Sequence, residues 1–126
     1  MKRSWIGFIL LLVLLVGGIL STRAMTAIHE PIEADLMQAA ECAVLGDWTN
    51  AGRFFRQAEA DWKQWEHFRS CFADHNPVEE IDGEFVLLKV YCAYQDTVSF
   101  AGGCAQLARQ VAAVGEAHEL VWWNLF

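Results

Sequence analysis

Basic residues are scarce over most of this 126-residue chain: beyond Arg23 there are six, Arg53, Arg56, Lys63, Arg69, Lys89 and Arg109, against all sixteen acidic ones. That part therefore carries a formal charge of −10, which the three basic residues ahead of it reduce to −7 for the whole chain. Nucleic-acid binding relies on Lys and Arg to neutralise phosphates, so no nucleic-acid partner is expected. Adhesion to an anionic lipid surface through a basic patch is disfavoured for the same reason. The acidity reads as a solvated face.

Motifs of cofactor chemistry are missing too. There is no Gly-rich phosphate loop, no CxxC pair and no His-Glu-x-x-His. A di-iron bundle needs Glu-x-x-His on two helices, whereas Glu116 stands two before His118 and Glu66 adjoins His67. No metal and no cofactor is therefore expected; of the histidines His29, His67, His75 and His118, only His75 with the adjacent Asp74 makes a candidate core for a metal site. His118, at a helical seam position, reads as a hydrogen-bonded core residue. Cys-His and carboxylate pairs exist arithmetically, but nothing places two such groups within reach in a closed cleft, and no enzymatic activity is expected. Internal repeats and low-complexity linkers are absent as well, which leaves one domain plus a terminal segment.

What is abundant is apolar sequence, 55% of the residues. Much of the excess sits in MKRSWIGFILLLVLLVGGILSTRA, where Lys2 and Arg3 precede an apolar run from Trp5 to Leu20 extended by Ser21 and Thr22. At 1.5 Å per residue that stretch spans roughly 27 Å, close to the hydrocarbon thickness of a bilayer. Its length favours a retained anchor; the rival is a signal peptide cleaved near Thr22-Arg23-Ala24. No Cys stands at a lipobox spacing. The leading positive charges keep the N-terminus cytoplasmic and put the remainder outside.

From Thr26 onward the apolar spacing is helical. Trp48, Phe55 and Trp62 fall seven apart, interleaved with Ala51, Ala58, Trp65 and Phe72, which predicts a long amphipathic helix from Trp48 to Phe72. Gly46 can end the preceding helix, about Pro31 to Leu45 with Ile32, Leu36, Ala39 and Ala43 on one face, and Asp47 can cap the next. In DHNPVEE, Asn76 reads as an N-cap, Pro77 as a first-turn residue and Glu79 as the partner in a capping box. Asp74 and His75 are expected to fix this turn through side-chain to backbone hydrogen bonds. Val78, Ile81, Phe85 and Leu88 form the buried stripe of the third helix, which reads on through Tyr91 and Val98 towards Gly102-Gly103. A fourth helix follows with Cys104, Leu107, Val111, Val114, His118, Val121 and Leu125 as its seam. The fold class is thus all-α: an N-terminal transmembrane helix (1–24) followed by an antiparallel up-down four-helix bundle (25–126).

Two local expectations follow from that topology. Among Cys42, Cys71, Cys92 and Cys104, Cys42 precedes the Gly46 corner and Cys104 follows a corner at Gly102-Gly103, so any disulfide is expected to join Cys42 to Cys104. In VWWNLF, Trp122 and Trp123 point about 100° apart and cannot both fill the seam. At least one, with Phe126, is expected to rest at the membrane interface; the alternative buries both against helices 1 and 3. Aromatic residues beyond what a small core can bury would line a groove for a partner helix, a peptide or lipid.

The anchor, the helix GDWTNAGRFFRQAEADWKQW, the corner FADHNPVEEID and the terminal ELVWWNLF together resemble the bacterial family called domain of unknown function 4363, small anchored proteins of endospore-forming and related Gram-positive bacteria. The resemblance covers nearly the whole chain. It implies Trp48, Trp62, Asp74, His75, Glu116 and Asn124 as characteristic residues, none with an assigned role, and no established activity. The expected function is a membrane-anchored extracytoplasmic interaction or scaffold module, tied to the membrane by its N-terminal helix and engaging a protein partner or itself, with envelope or sporulation biology as the setting that the resemblance implies. The alternative is a ligand- or metal-binding sensor domain.

Overall fold

The computed structural model describes residues 2–66 and 75–124, and all regular structure in them is helical. The helices are α1 (Lys2–Val44), α2 (Trp48–Gln64), α3 (His75–Ala93) and α4 (Thr97–Asn124). α1 is a single helix of 43 residues, about 64 Å long. It does not start near Pro31 as the sequence suggested; Pro31 lies inside it. Proline removes the amide donor that would bond the carbonyl four residues back and strains the turn. Here both Pro31 and Ala27, the residue whose carbonyl loses that donor, are exposed, so the interruption falls on a surface stripe and not in the core. The stretch Lys2–Leu20 is long and apolar enough to cross a membrane, with a mean hydropathy of 2.2 and none of it covered by the rest of the protein.

Beyond that stretch α1 packs against both α2 and α4, and α3 packs against α4. Ile32, Leu36, Ala39 and Ala43 line the inner face of α1, as the spacing predicts, and meet Ala51, Phe55, Ala58 and Trp62 of α2. The alanines on both sides let these helices approach closely. α3 contributes Ile81, Phe85 and Leu88, with Val78 only partly buried; α4 contributes Phe100, Cys104, Leu107, Val111 and Val114.

Three predicted boundaries are corrected. α2 ends at Gln64 with Trp65 as its C-cap, not at Phe72, so the interleaved seam of small and aromatic residues breaks off at Trp65, which is 36% exposed. α3 ends at Ala93 and α4 begins at Thr97, so the corner falls at Tyr94-Gln95-Asp96 and Gly102-Gly103 lie within α4. Gly103 is not a turn residue but a point of close approach: a Cβ there would overlap a methyl group of Leu88 on α3, whereas one at Gly102 would meet nothing. The N-cap position of α3 falls before His75, because Asn76 is already helical. Asp74, the neighbour in that position, lies outside the described residues.

The Tyr94–Asp96 corner repeats the geometry of the Leu45–Asp47 corner. At the first, the amide of Gly46 donates to the carbonyl of Ala43 (3.0 Å) and that of Asp47 to Cys42 (2.8 Å); at the second, Gln95 donates to Cys92 (3.1 Å) and Asp96 to Tyr91 (3.0 Å). This is the paired bond pattern of a Schellman cap, with the left-handed residue at φ 78° for Gly46 and φ 53° for Gln95. Each corner then caps the next helix: Asp47 Oδ1 accepts from the amide of Asn50 (3.2 Å), and Asp96 Oδ1 from that of Ser99 (3.3 Å). Asp47 also accepts from the Asn50 side chain at 2.6 Å, and these bonds hold its carboxyl below the ordinary range. Gln95 carries a Cβ where Gly46 carries none, so it pays the left-handed penalty. Gln95→Gly is expected to raise stability by about 1 kcal/mol, measured as a urea midpoint shift of the full chain in detergent.

Candidate functional site

An uninterrupted row of rings runs through the interior. Trp48 lies against Phe100 (5.5 Å between centroids), Phe100 against Phe55 (5.6 Å), Phe55 against Phe85 (5.8 Å), Phe85 against Trp62 (6.2 Å), and Trp62 edge-on to His29 (6.4 Å). The row takes rings from each of the four described helices. Trp62 is the most enclosed of its tryptophans at 1% exposure, and its indole N–H donates to Asp82 Oδ1 on α3 at 2.7 Å. Nearby, Lys89 of α3 reaches Glu59 of α2 at 3.1 Å, with Lys63 on the same carboxylate at 3.6 Å. The backbones of α2 and α3 approach each other at few points, so these links and the Phe55–Phe85 and Trp62–Phe85 ring contacts are what join them.

His29 is buried at 2% exposure between Trp62 and Gly115, where a Cβ would sit 3.6 Å from the imidazole. Sequence reasoning placed its candidate histidine at His75 and missed His29, although the step from His29 to Ile32 and Leu36 continues the inner stripe of α1 and could have shown it. Asp82, an acidic residue of the first turns of α3, is the acceptor for Trp62.

Below this cluster a groove of about 530 Å³ opens between α1 and the end of α2, lined by Ala24, Ala27, Ile28, Pro31, Asp61 and Trp65. Its floor is apolar and its polar element is Asp61, which accepts from Gln57 Nε2 at 3.1 Å. The neighbouring Asp35 has its carboxyl pushed up by partial burial and by the charge of Asp61. A raised carboxyl costs stability while it is ionised, and that cost fades as pH falls through the raised value towards the ordinary one. Asp35→Asn is therefore expected to stabilise the protein at pH 7, with the gain vanishing by about pH 4; thermal melting across that range checks it. A second groove of about 560 Å³ runs between α1 and α4 over Ala34, Met37, Ala105, Ala108 and Ala112.

Among the described residues, those singled out from sequence are not brought to one place. Trp48 is half-buried at the first corner, Trp62 sits in the core, and Glu79 is exposed on the first turns of α3. Asp74 lies outside the described residues, as do the side chains of His75, Glu116, Trp122, Trp123 and Asn124, and that of His118; Phe126 and Cys71 are outside them altogether. Among the described residues, no group of three or more His, Cys, Asp or Glu side chains converges. Cys42, Cys92 and Cys104 are free thiols. The premise that set Cys42 level with Cys104 is corrected, since the corner lies at 94–96 and Cys104 stands about 12 Å further along α4. Burial, and then the nearness of Cys92, pushes the Cys104 thiol up to about 12, so it is inert as a nucleophile.

A family model described as Domain of unknown function (DUF4363) matches residues 19–125, and the chain belongs to that family. No curated protein and no solved structure matches it.

Proposed function

We propose that this protein is a membrane-anchored extracytoplasmic interaction module, in which α1 serves both as the anchor and as the first helix of an antiparallel up-down four-helix bundle. The observation that carries this reading is the continuity of α1. Its uncovered apolar stretch, Lys2–Leu20, runs without a break into the helix whose inner face holds Ile32, Leu36 and Ala39 in the core. A cleavable leader joined to a folded domain needs an accessible, extended junction, whereas this junction is helical.

The bundle topology is supported by two short corners, which favour antiparallel neighbours, and by the Trp62–Asp82 and Glu59–Lys89 links that close α2 onto α3. Lys2 and Arg3 favour a cytoplasmic N-terminus. An interaction role is supported by apolar residues left open at both corners: Leu45 and Tyr94 are each 83% exposed and Val98 84%. In an up-down bundle those corners share the end far from the membrane, where a protein partner or a second copy would dock.

The reading is tested by washing membranes from cells producing the full chain with alkaline carbonate and by treating intact spheroplasts with protease. Retention in the washed membranes, with digestion of the domain from outside, is expected. Release by carbonate would remove the anchor, and protection from protease would reverse the orientation.

A further inference from the structure

The groove between α1 and the end of α2 lies where α1 leaves the proposed bilayer. A hydrocarbon core of about 30 Å that begins just after Lys2 and Arg3 takes up about twenty helical residues and closes near Arg23. Ala24 then marks the hydrocarbon edge, and Pro31 stands about 10 Å above it, within the headgroup layer. The groove is also continuous with the anchor surface. Ala24, Ala27 and Pro31 extend downward through Leu20, Gly17 and Val13 in alternating steps of three and four, one stripe of one helix, with Gly17 open to any neighbour. A lipid chain lying on that stripe would present its headgroup to the groove.

Three polar features set the chemistry of the headgroup. Arg23, exposed one residue before Ala24 and so beside the stripe, stands at the level of a lipid phosphate, which its guanidinium suits. Asp61 stands higher, at the groove's upper wall, and Trp65 lines the same groove. The Ala27 carbonyl cannot receive its helical hydrogen bond, because position 31 is a proline inside the helix and has no N–H. A phosphate below and a hydrogen-bond-donating cation above is the arrangement of a phosphoethanolamine headgroup. Its primary ammonium can donate to the Ala27 carbonyl and pair with Asp61, which a quaternary ammonium, lacking N–H groups, cannot do in full. Phosphatidylglycerol would set an uncharged glycerol, carried on its anionic phosphate, against Asp61 with no cation to offer.

We propose that this groove seats the headgroup of a phosphatidylethanolamine in the outer leaflet. The proposal rests on the anchor reading given above. Asp61→Asn keeps the Oδ1 acceptor that Gln57 uses while removing the charge, and Pro31→Ala restores the donor for the Ala27 carbonyl; neither change removes a core side chain.

The test is native mass spectrometry of the full chain, extracted in detergent and offered equal amounts of phosphatidylethanolamine, phosphatidylcholine and phosphatidylglycerol, with vesicle flotation run in parallel. The expected result is retention of phosphatidylethanolamine over both other lipids by about fivefold or more, reduced to parity by either substitution, as loss of one ion-pair or hydrogen-bond contact implies. Flotation should be unchanged in the variants. Floating protein with equal retention of the three lipids, or variants that retain phosphatidylethanolamine undiminished, would overturn the headgroup site alone. Failure of the wild-type chain to float would remove the anchor and the site together.

Discussion

Trp62→Ala is expected to lower the stability of the domain by about 3–5 kcal/mol, a large part of the 5–15 kcal/mol that a domain of this size has in total. The reason is position as much as size. Trp62 touches His29 on α1 and Phe85 on α3 from its own place on α2, and its N–H is spent on Asp82. Because the backbones of α2 and α3 approach each other at few points, side chains bridge them. With only Phe55–Phe85 and Glu59–Lys89 beside it, the cavity left by the indole would open along the seam that holds the two helices together. Trp62→Phe separates the two contributions. It refills most of the apolar volume but cannot donate to Asp82, so it should cost about 1–2 kcal/mol. Urea unfolding of the full chain in detergent, followed by helical circular dichroism, reads both. Should the alanine variant lose less than about 1 kcal/mol, Trp62 is not a keystone between α2 and α3.

The placement of Trp62 was readable from the heptad Trp48, Phe55, Trp62, and so were the inner faces Ile32–Leu36–Ala39 and Cys104–Leu107–Val111, because a buried stripe writes its period into the sequence. The ends of helices were less readable, and for a physical reason in each case. At Pro31 the residue signals a helix start, yet the same residue is tolerated mid-helix when the residue whose carbonyl loses its amide donor is exposed, as Ala27 is. At Gln95 the corner lacks the glycine that marks the equivalent corner at Gly46, so the sequence gives no sign that Asp96 is a cap, and Gly102-Gly103 read as the turn instead. With the turn placed there, Phe100 falls outside the fourth helix, although it belongs to the same seam as Cys104 and is fully buried. The groove at Ala24, Asp61 and Trp65 was beyond reach for a different reason. It depends on where α2 stops, and Trp65 reads as one more seam residue until Gln64 is known to be the last of its helix.

Gly102 and Gly103 provide the sharpest test of how α3 and α4 pack, because the chain offers two adjacent glycines of one type in one helix with opposite surroundings. Alanine in place of glycine inside a helix gains up to about 1 kcal/mol through backbone entropy alone. At Gly102, where an added methyl meets nothing, that whole gain should appear. At Gly103 the added methyl would occupy the space of a methyl group of Leu88, whose side chain is 0% exposed and so must turn within the packed core to make way. Overpacking of this kind costs about 1–3 kcal/mol, so Gly103→Ala should be neutral to destabilising, and Gly103→Val, larger and β-branched, should lose about 3 kcal/mol or more. Leu88→Ala combined with Gly103→Ala should recover part of the loss, since the truncated side chain vacates the space that the methyl needs; the two changes are in contact and their effects will not add. Equal stabilisation at both glycines would mean that α3 does not approach α4 at this point, and the Leu88 contact would have to be abandoned.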